Sequence, residues 1–272
     1  NDRKFYQQAI EITNQAKQLG ENSMVLTMSE HLHSHYPMLD DDGISVVHFA
    51  ERAQDRFSHR AEAARNLLVS RMQAHEQVLR GAAALFAASE NVSRAEWRAY
   101  VGALELDRSL PGIQGTGFTR MIPAHGLAEH VAEVRAEGFA DYAIHPPGER
   151  DVYSSILYLE PFADRNLRAF GYDMYSEPVR REAMGRARDT GLPALSGKVT
   201  LVQESGPEVQ AGFLIYLPVY ARGAAPETVE ARRAAVLGFV YSPFRAQDIM
   251  LSIFSASLND TDLELFDGAP TA

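Results

Sequence analysis

The chain has 272 residues, of which 46% are hydrophobic and 23% charged, with a formal net charge of -10. That is enough chain for one large domain or two small ones of ordinary globular composition. The acidic balance argues against nucleic acid as a partner, because phosphate binding needs a basic face; the absence of cysteine excludes disulfides.

Taken from the N-terminus, the composition shifts near Gly43. Lys4, Lys17 and Arg3 precede it; beyond it arginine replaces lysine everywhere except Lys198, and alanine becomes abundant. Residues 1–43 read as a polar helical segment, either of separate origin or a plain extension of the helix that succeeds it. Phe5, Ala9, Ile12, Ala16, Leu19 and Leu26 fall on one stripe of a helix, spaced alternately by four and three with a polar break at Ser23.

Residues 44–92 read as a stalk or dimerisation helix. From Ser45 to Ser89, Ala50, Ala53, Phe57, Ala61, Ala64, Leu68, Met72, His75, Leu79, Ala82 and Phe86 keep the helical period, and no proline interrupts. At 1.5 Å per residue this is a rod of roughly 65 Å. The alternative is two helices broken at Arg80–Gly81, since an internal glycine costs ~1 kcal/mol. Ser93-Arg94-Ala95-Glu96 is a capping box that starts a helix through Trp97 to Leu106, and the overlapping sequon Asn91-Val92-Ser93 is better read as that cap.

Beyond Pro111 the period shortens. Gly115–Ile122 reads as a strand and Ala124–Glu137 as a helix; Tyr142–His145 and Asp151–Leu159 read as strands around a Pro146-Pro147-Gly148 turn. Pro178–Thr190 is a helix with proline in its first turn and Gly191 past its end. Val199–Val202 and Ala211–Tyr220 are strands about a polar hairpin at Glu204–Glu208. Val236–Tyr241 is a strand, Pro243–Leu258 a helix and Leu263–Phe266 a last short strand. The fold class is α+β: a helical stalk, then antiparallel sheet, without βαβ alternation.

Catalytic motifs are absent: there is no nucleophile elbow, no His-Glu-x-x-His helix and no phosphate loop. Asp40-Asp41-Asp42-Gly43 lacks the spacing of a calcium loop. His31, His33 and His35 alternate, but no carboxylate or cysteine is placed to complete a zinc site with them. His75 lies on the apolar stripe and reads as a packed histidine. Glu160, Asp164 and Asp173 are the available acid–base groups; Asp173 reads as holding a turn or pairing with an arginine. No catalytic residue, metal or cofactor is expected. No apolar run reaches the ~20 residues of a bilayer span, and no basic-then-apolar segment opens the chain.

Several segments together resemble the CHASE family of extracytoplasmic sensor domains of histidine kinases and nucleotide cyclases. They are Val78–Gly81 with Leu85–Ser89, Gly115–Phe118, Tyr158–Pro161, and above all Gly171–Gln203 followed by Gly212–Tyr220. The resemblance implies a long N-terminal helix carrying two tandem PAS-like antiparallel-sheet subdomains, a distal ligand-binding one at 93–222 and a membrane-proximal one at 223–272. It also implies a homodimer formed through the helices, a periplasmic location, and membrane anchors and an output domain outside this sequence. The best-known members are plant cytokinin receptors. Aligned without gaps on Ala187–Gly191, their pocket falls on Arg180 (or, one residue on, Arg181), Met174, Ser196, Val202 and Tyr216.

Arg180 stands where those receptors place an aspartate that reads a purine amine. Arginine only donates hydrogen bonds, and its planar fork suits a carboxylate or phosphate. The resemblance therefore implies a small, anionic or acceptor-rich ligand rather than a cytokinin. The alternative is that Arg180 pairs with Asp173, Glu177 or Glu182 and touches no ligand. A dimerisation or partner-binding module without a ligand, and a periplasmic hydrolase, are the competing readings of the whole chain.

Overall fold

The computed structural model describes residues 7–10, 24–30, 43–110, 113–204, 209–254 and 261–267. The chain divides into two units, one of residues 1–72 with 253–272 and one of 73–252. In the first unit, β1 (Gln7–Ile10), β2 (Met24–Glu30) and β9 (Thr261–Asp267) form an antiparallel sheet in the order β1-β2-β9. This corrects the expected helical stripe at Ala9 and Leu26, which lie in strands, Ala9 paired with Thr27 and Leu26 with Ile10. The four-and-three spacing covered too few turns to exclude period two, and β2 carries the β-branched pair Val25 and Thr27. Its partner β9 comes from the far end of the chain, where Leu263 and Leu265 alternate with Asp262 and Glu264. The histidine trio, the Asp40–Asp42 run, and Phe5, Ile12, Ala16 and Leu19 lie outside the described residues.

Helix α1 (Gly43–Ala88) is continuous for 46 residues and runs from the first unit into the second. No break occurs at Gly81. There the missing side chain admits the hydroxyl of Tyr100, which donates to the Val78 carbonyl at 3.1 Å; a Cβ on Gly81 would stand 2.5 Å from that oxygen. Helix α2 (Arg94–Ala103) starts on the expected capping box: Ser93 Oγ accepts from the Glu96 amide and the Glu96 carboxylate accepts from the Ser93 amide. A single turn, α3 (Leu106–Ser109), comes next.

The second unit is built on one six-stranded antiparallel sheet. Its strands are β3 (Thr116–Pro123), β4 (Val152–Glu160), β5 (Ala194–Leu195), β6 (Val199–Thr200), β7 (Ala211–Tyr220) and β8 (Val236–Arg245), in the order β4-β3-β8-β7-β5 with β6 also on β7. Helix α4 (Leu127–Ala136) joins β3 to the β4 region, α5 (Pro178–Thr190) precedes β5, α6 (Val229–Ala235) joins β7 to β8, and α7 (Ala246–Phe254) comes after β8.

β7 and β8 pair from Gly212–Arg245 to Tyr220–Val236. A subdomain boundary between 222 and 223 therefore does not separate two sheets; it falls in the connection between neighbouring strands at the sheet's centre. Four local expectations also change. Tyr142–His145 forms no strand, only a bridge from His145 to Tyr172. Thr200 ends β6, so Val202 lies in the turn beyond it. α6 is an element that the sequence pattern does not announce. β8 continues through Pro243 to Arg245, with α7 starting only at Ala246. Pro243 is tolerated because β3 pairs with β8 only as far as Tyr241, so no ladder bond from its nitrogen is required on that side.

Alternation assigns the two faces of this sheet. On one lie Phe118, Tyr158, Phe213 and Phe244, covered by the C-terminal half of α1 and by α2. Phe86 stacks on Phe118 at 4.2 Å between centroids, Trp97 lies 6.0 Å from Tyr158, and His75 meets Phe244 edge-on at 4.7 Å. His75 and Trp97 are buried in this layer. Such ring pairs add about 0.5–1.5 kcal/mol each beyond area burial. On the other face lie Ile156, Leu159, Leu214, Tyr216, Phe239 and Tyr241, covered by α5 through Ala183, Met184 and Ala187 and by the turn Met174–Ser176.

Candidate functional site

The segment from Gly171 to Arg180 is shaped by Asp173. Its fully buried carboxylate accepts from the amides of Ser154 (2.8 Å) and Tyr175 (3.0 Å), and Arg150 stands 3.4 Å from its second oxygen. Asp173 thus both holds a turn and pairs with an arginine. The turn delivers Met174 and Tyr175 to the sheet. Glu177 then caps α5, accepting from the amides of Val179 and Arg180 at 3.0 and 2.9 Å, with Pro178 in the first turn.

This start of α5 points Arg180 inward. The residue is only 3% exposed, whereas Arg181 is exposed and donates to the Tyr175 carbonyl. Of the two positions left open by the alignment, Arg180 is the one that faces the sheet. Its Nη2 donates to the Thr200 carbonyl at 2.8 Å, Nη1 approaches Glu177 at 3.4 Å, and the guanidinium lies over the Tyr172 ring at 5.4 Å. Of its three proposed partners, Glu177 alone makes the pair: Asp173 engages Arg150 and Glu182 engages Arg186.

Met174, Val202 and Tyr216 share one cluster on this face. Ser196 stands at its edge with its hydroxyl committed to the backbone: Oγ accepts from the Leu214 amide at 2.9 Å and donates to the Gly197 carbonyl at 2.8 Å. Ser196 therefore stitches β5 to β7. Tyr216 is fully buried, and its hydroxyl has no hydrogen-bond partner among the described residues.

Directly opposite Tyr216 across the β7–β8 ladder is Tyr241, also fully buried and also without a partner for its hydroxyl among the described residues. The rings are 6.2 Å apart. Gly117, on the neighbouring strand, gives the Tyr241 ring room: a Cβ there would stand 2.5 Å from the ring carbon that bears the hydroxyl. Burial pushes both phenols up from their ordinary range, and the charge of Arg180 works against that rise in each. Both stay protonated, hence available as donors. Tyr241 escapes a reading of the sequence because the expected strand ends on it, which hides its register against Tyr216.

Two hollows of the second unit lie elsewhere. One, of about 540 Å³, is lined by residues 138–143, His145 and Phe170; the other is a cleft of about 20 Å³ around Arg94, Trp97 and Phe162. None of Arg180, Met174, Ser196, Val202 or Tyr216 lines either. Near the first, His130 Nε2 meets Tyr142 Oη at 3.0 Å, and Tyr142 Oη meets Ser155 Oγ at 2.7 Å. Burial, with the charges of Arg120 and Arg94, holds the His130 imidazole down to about 4. Among the described residues no group of three or more His, Asp or Glu side chains is arranged to hold a metal ion, and no helix is long and apolar enough to cross a membrane.

The family model described as CHASE domain matches residues 90–272, about two thirds of the chain. The chain belongs to the CHASE domain family. A segment of 125 residues, 44% of the chain, is 27% identical to the Hybrid signal transduction histidine kinase A of Dictyostelium discoideum, of which it covers 6%. Among solved structures, an extracellular ligand binding receptor from Desulfohalobium retbaense DSM5692 matches with a TM-score of 0.46 at 14% identity. That match covers 74% of this chain and 27% of the other.

Proposed function

We propose that the chain is the ligand-sensing ectodomain of a bacterial transmembrane receptor, a histidine kinase or cyclic-nucleotide enzyme, exposed to the periplasm and anchored by segments outside this sequence. A small anionic molecule binds beside Arg180, against the wall formed by Met174, Val202 and Tyr216, with Ser196 fixing the strand edge. The reading assigns no catalysis to these residues. In it the six-stranded sheet is the distal PAS-like sensor, the β1-β2-β9 sheet is the core of the membrane-proximal subdomain, and two copies associate through their helices.

The observation that carries this reading is the buried guanidinium of Arg180. A buried cation normally sits in a close pair. Here the carboxylate contact is 3.4 Å long, and the one short bond is to a neutral carbonyl. A ligand carboxylate would supply the bidentate partner that such a group favours. The opposite face of the same sheet carries Phe118 against Phe86 of α1. A shift of the sheet on binding would thus reach the helix, and about 1–3 kcal/mol of differential affinity suffices for coupling.

Titration of carboxylate ligands against wild type and Arg180→Ala tests the reading. Binding by wild type that is lost in the variant is expected; equal binding would overturn the role of Arg180. A dimerisation module without a ligand is the second reading, favoured by the dense packing around Tyr216 and by the position of both hollows away from it. It predicts no binding by either protein and a dimer that no small molecule perturbs.

A further inference from the structure

Tyr216 and Tyr241 stand opposite each other across the centre of a sheet, both fully buried, and neither hydroxyl has a hydrogen-bond partner among the described residues. Buried polar groups are almost always paired, so two orphans side by side call for a common explanation. A phenylalanine at either position would carry no unmet donor. The two hydroxyls do not bond to one another, and the hydroxyl and guanidinium groups nearby have backbone partners: Ser196 has Gly197 and Leu214, Arg180 has Thr200, Arg181 has Tyr175.

The chemistry around them is one-sided. Tyr216 and Tyr241 can each donate an O–H, and Arg180 can only donate. The nearby carboxylate, Glu177, is occupied by two amides at the start of α5. A site composed of donors selects an acceptor-only group, and a carboxylate has two oxygens with lone pairs for two phenols and a guanidinium. Space sets the size. Arg180, Met174, Tyr216 and Tyr241 are all at most 3% exposed, and only the absence of a side chain at Gly117 makes room for the Tyr241 ring. The other three arginines of α5 already have partners and so do not call for a second carboxylate on the ligand: Arg181 donates to the Tyr175 carbonyl, Arg186 has Glu182 and the Leu195 carbonyl, and Arg188 has Asp189.

We propose that Tyr216 and Tyr241 are paired hydrogen-bond donors that, with Arg180, hold the carboxylate of a compact monocarboxylate of two to about four carbons. This rests on the ligand-sensing reading above and names the class of ligand and a residue, Tyr241, that determines specificity.

The test is calorimetric titration of the whole chain with acetate, propionate and pyruvate, and with acetamide and propionamide as neutral counterparts. Wild type, Tyr216→Phe, Tyr241→Phe and Arg180→Gln are compared. The expected result is carboxylate binding by wild type, no binding of the amides, and a loss of affinity of about tenfold or more in each phenylalanine variant, as the loss of one charge-assisted bond implies. Phenylalanine variants that bind like wild type, while Arg180→Gln does not bind, overturn the paired-donor proposal and leave the Arg180 reading standing. Wild-type binding confined to larger carboxylates overturns the size assignment alone, and no binding of any carboxylate overturns both. A readout in the unmutated protein covers variants that fail to fold: saturating acetate must perturb the near-ultraviolet spectrum of the buried tyrosines, and an unchanged spectrum overturns the proposal.

Discussion

Acid should destabilise this domain through one residue, His130. Its side chain is 4% exposed, and its Nε2 shares a proton with Tyr142, which is itself bonded to Ser155. Burial first, then the charges of Arg120 and Arg94, lowers the imidazole from 6.5 to about 4. The unfolded chain therefore takes up a proton before the folded one does, and stability falls as pH drops through that interval. The full interval corresponds to about 3 kcal/mol at 1.36 kcal/mol per pKa unit. By the same linkage, moving from about pH 7 to about pH 5 costs roughly 2 kcal/mol through this group alone. Above about pH 7 its contribution is constant, because both states are then neutral. Urea unfolding of wild type and His130→Gln across this range isolates the effect, since other groups titrate alike in both proteins. The variant should lose most of the steepening below about pH 6.5. Parallel stability curves for the two proteins would contradict this account, and would mean that the folded chain hydrates or pairs the imidazolium.

Two further outcomes come from local geometry. Asp173→Ala removes the acceptor of two backbone amides, one of them in the buried Ser154, and the partner of Arg150; a loss of about 3 kcal/mol is expected in denaturant unfolding, with the Met174–Ser176 turn loosened. Gly81→Ala should be near neutral alone, as ~1 kcal/mol of helix propensity is offset by displacement of the Tyr100 hydroxyl from Val78. In a Tyr100→Phe background the same change should stabilise by about 1 kcal/mol, and strict additivity in the double-mutant cycle would disprove the close approach.

The local elements were the most legible part of this chain, for physical reasons that act within a few residues. The Ser93–Glu96 capping box is closed by side chains three positions apart, and Pro178 with Gly191 brackets α5 at both ends. The long helix was visible as a sustained apolar period, and the inward face of β7 as an apolar run. Asp173 was legible as a turn-former because its partners include an amide two residues on.

Pairing between distant segments was not legible. Leu26 looks helical until Leu265 from the other end of the chain faces it in a ladder. The 222/223 boundary looks natural at a polar connection, yet β7 and β8 on either side are neighbours in one sheet. Of the candidate site, Arg180 is found by its place in a motif, but its burial depends on how α5 docks. Ser196 is named because a pocket position of the family aligns on it, but its hydroxyl is committed to the backbone, accepting from the Leu214 amide.

The helical stalk, the caps, the family and an arginine where a donor-reading aspartate is expected could all be read from residue order, because periodicity, capping and motif are written in near neighbours. The folded chain was needed to place Tyr216 and Tyr241 opposite each other, without partners among the described residues, in the cluster that α5 covers. Strand register is a contact between residues 25 positions apart in number, and a slip of one residue would put the two rings on opposite faces of the sheet.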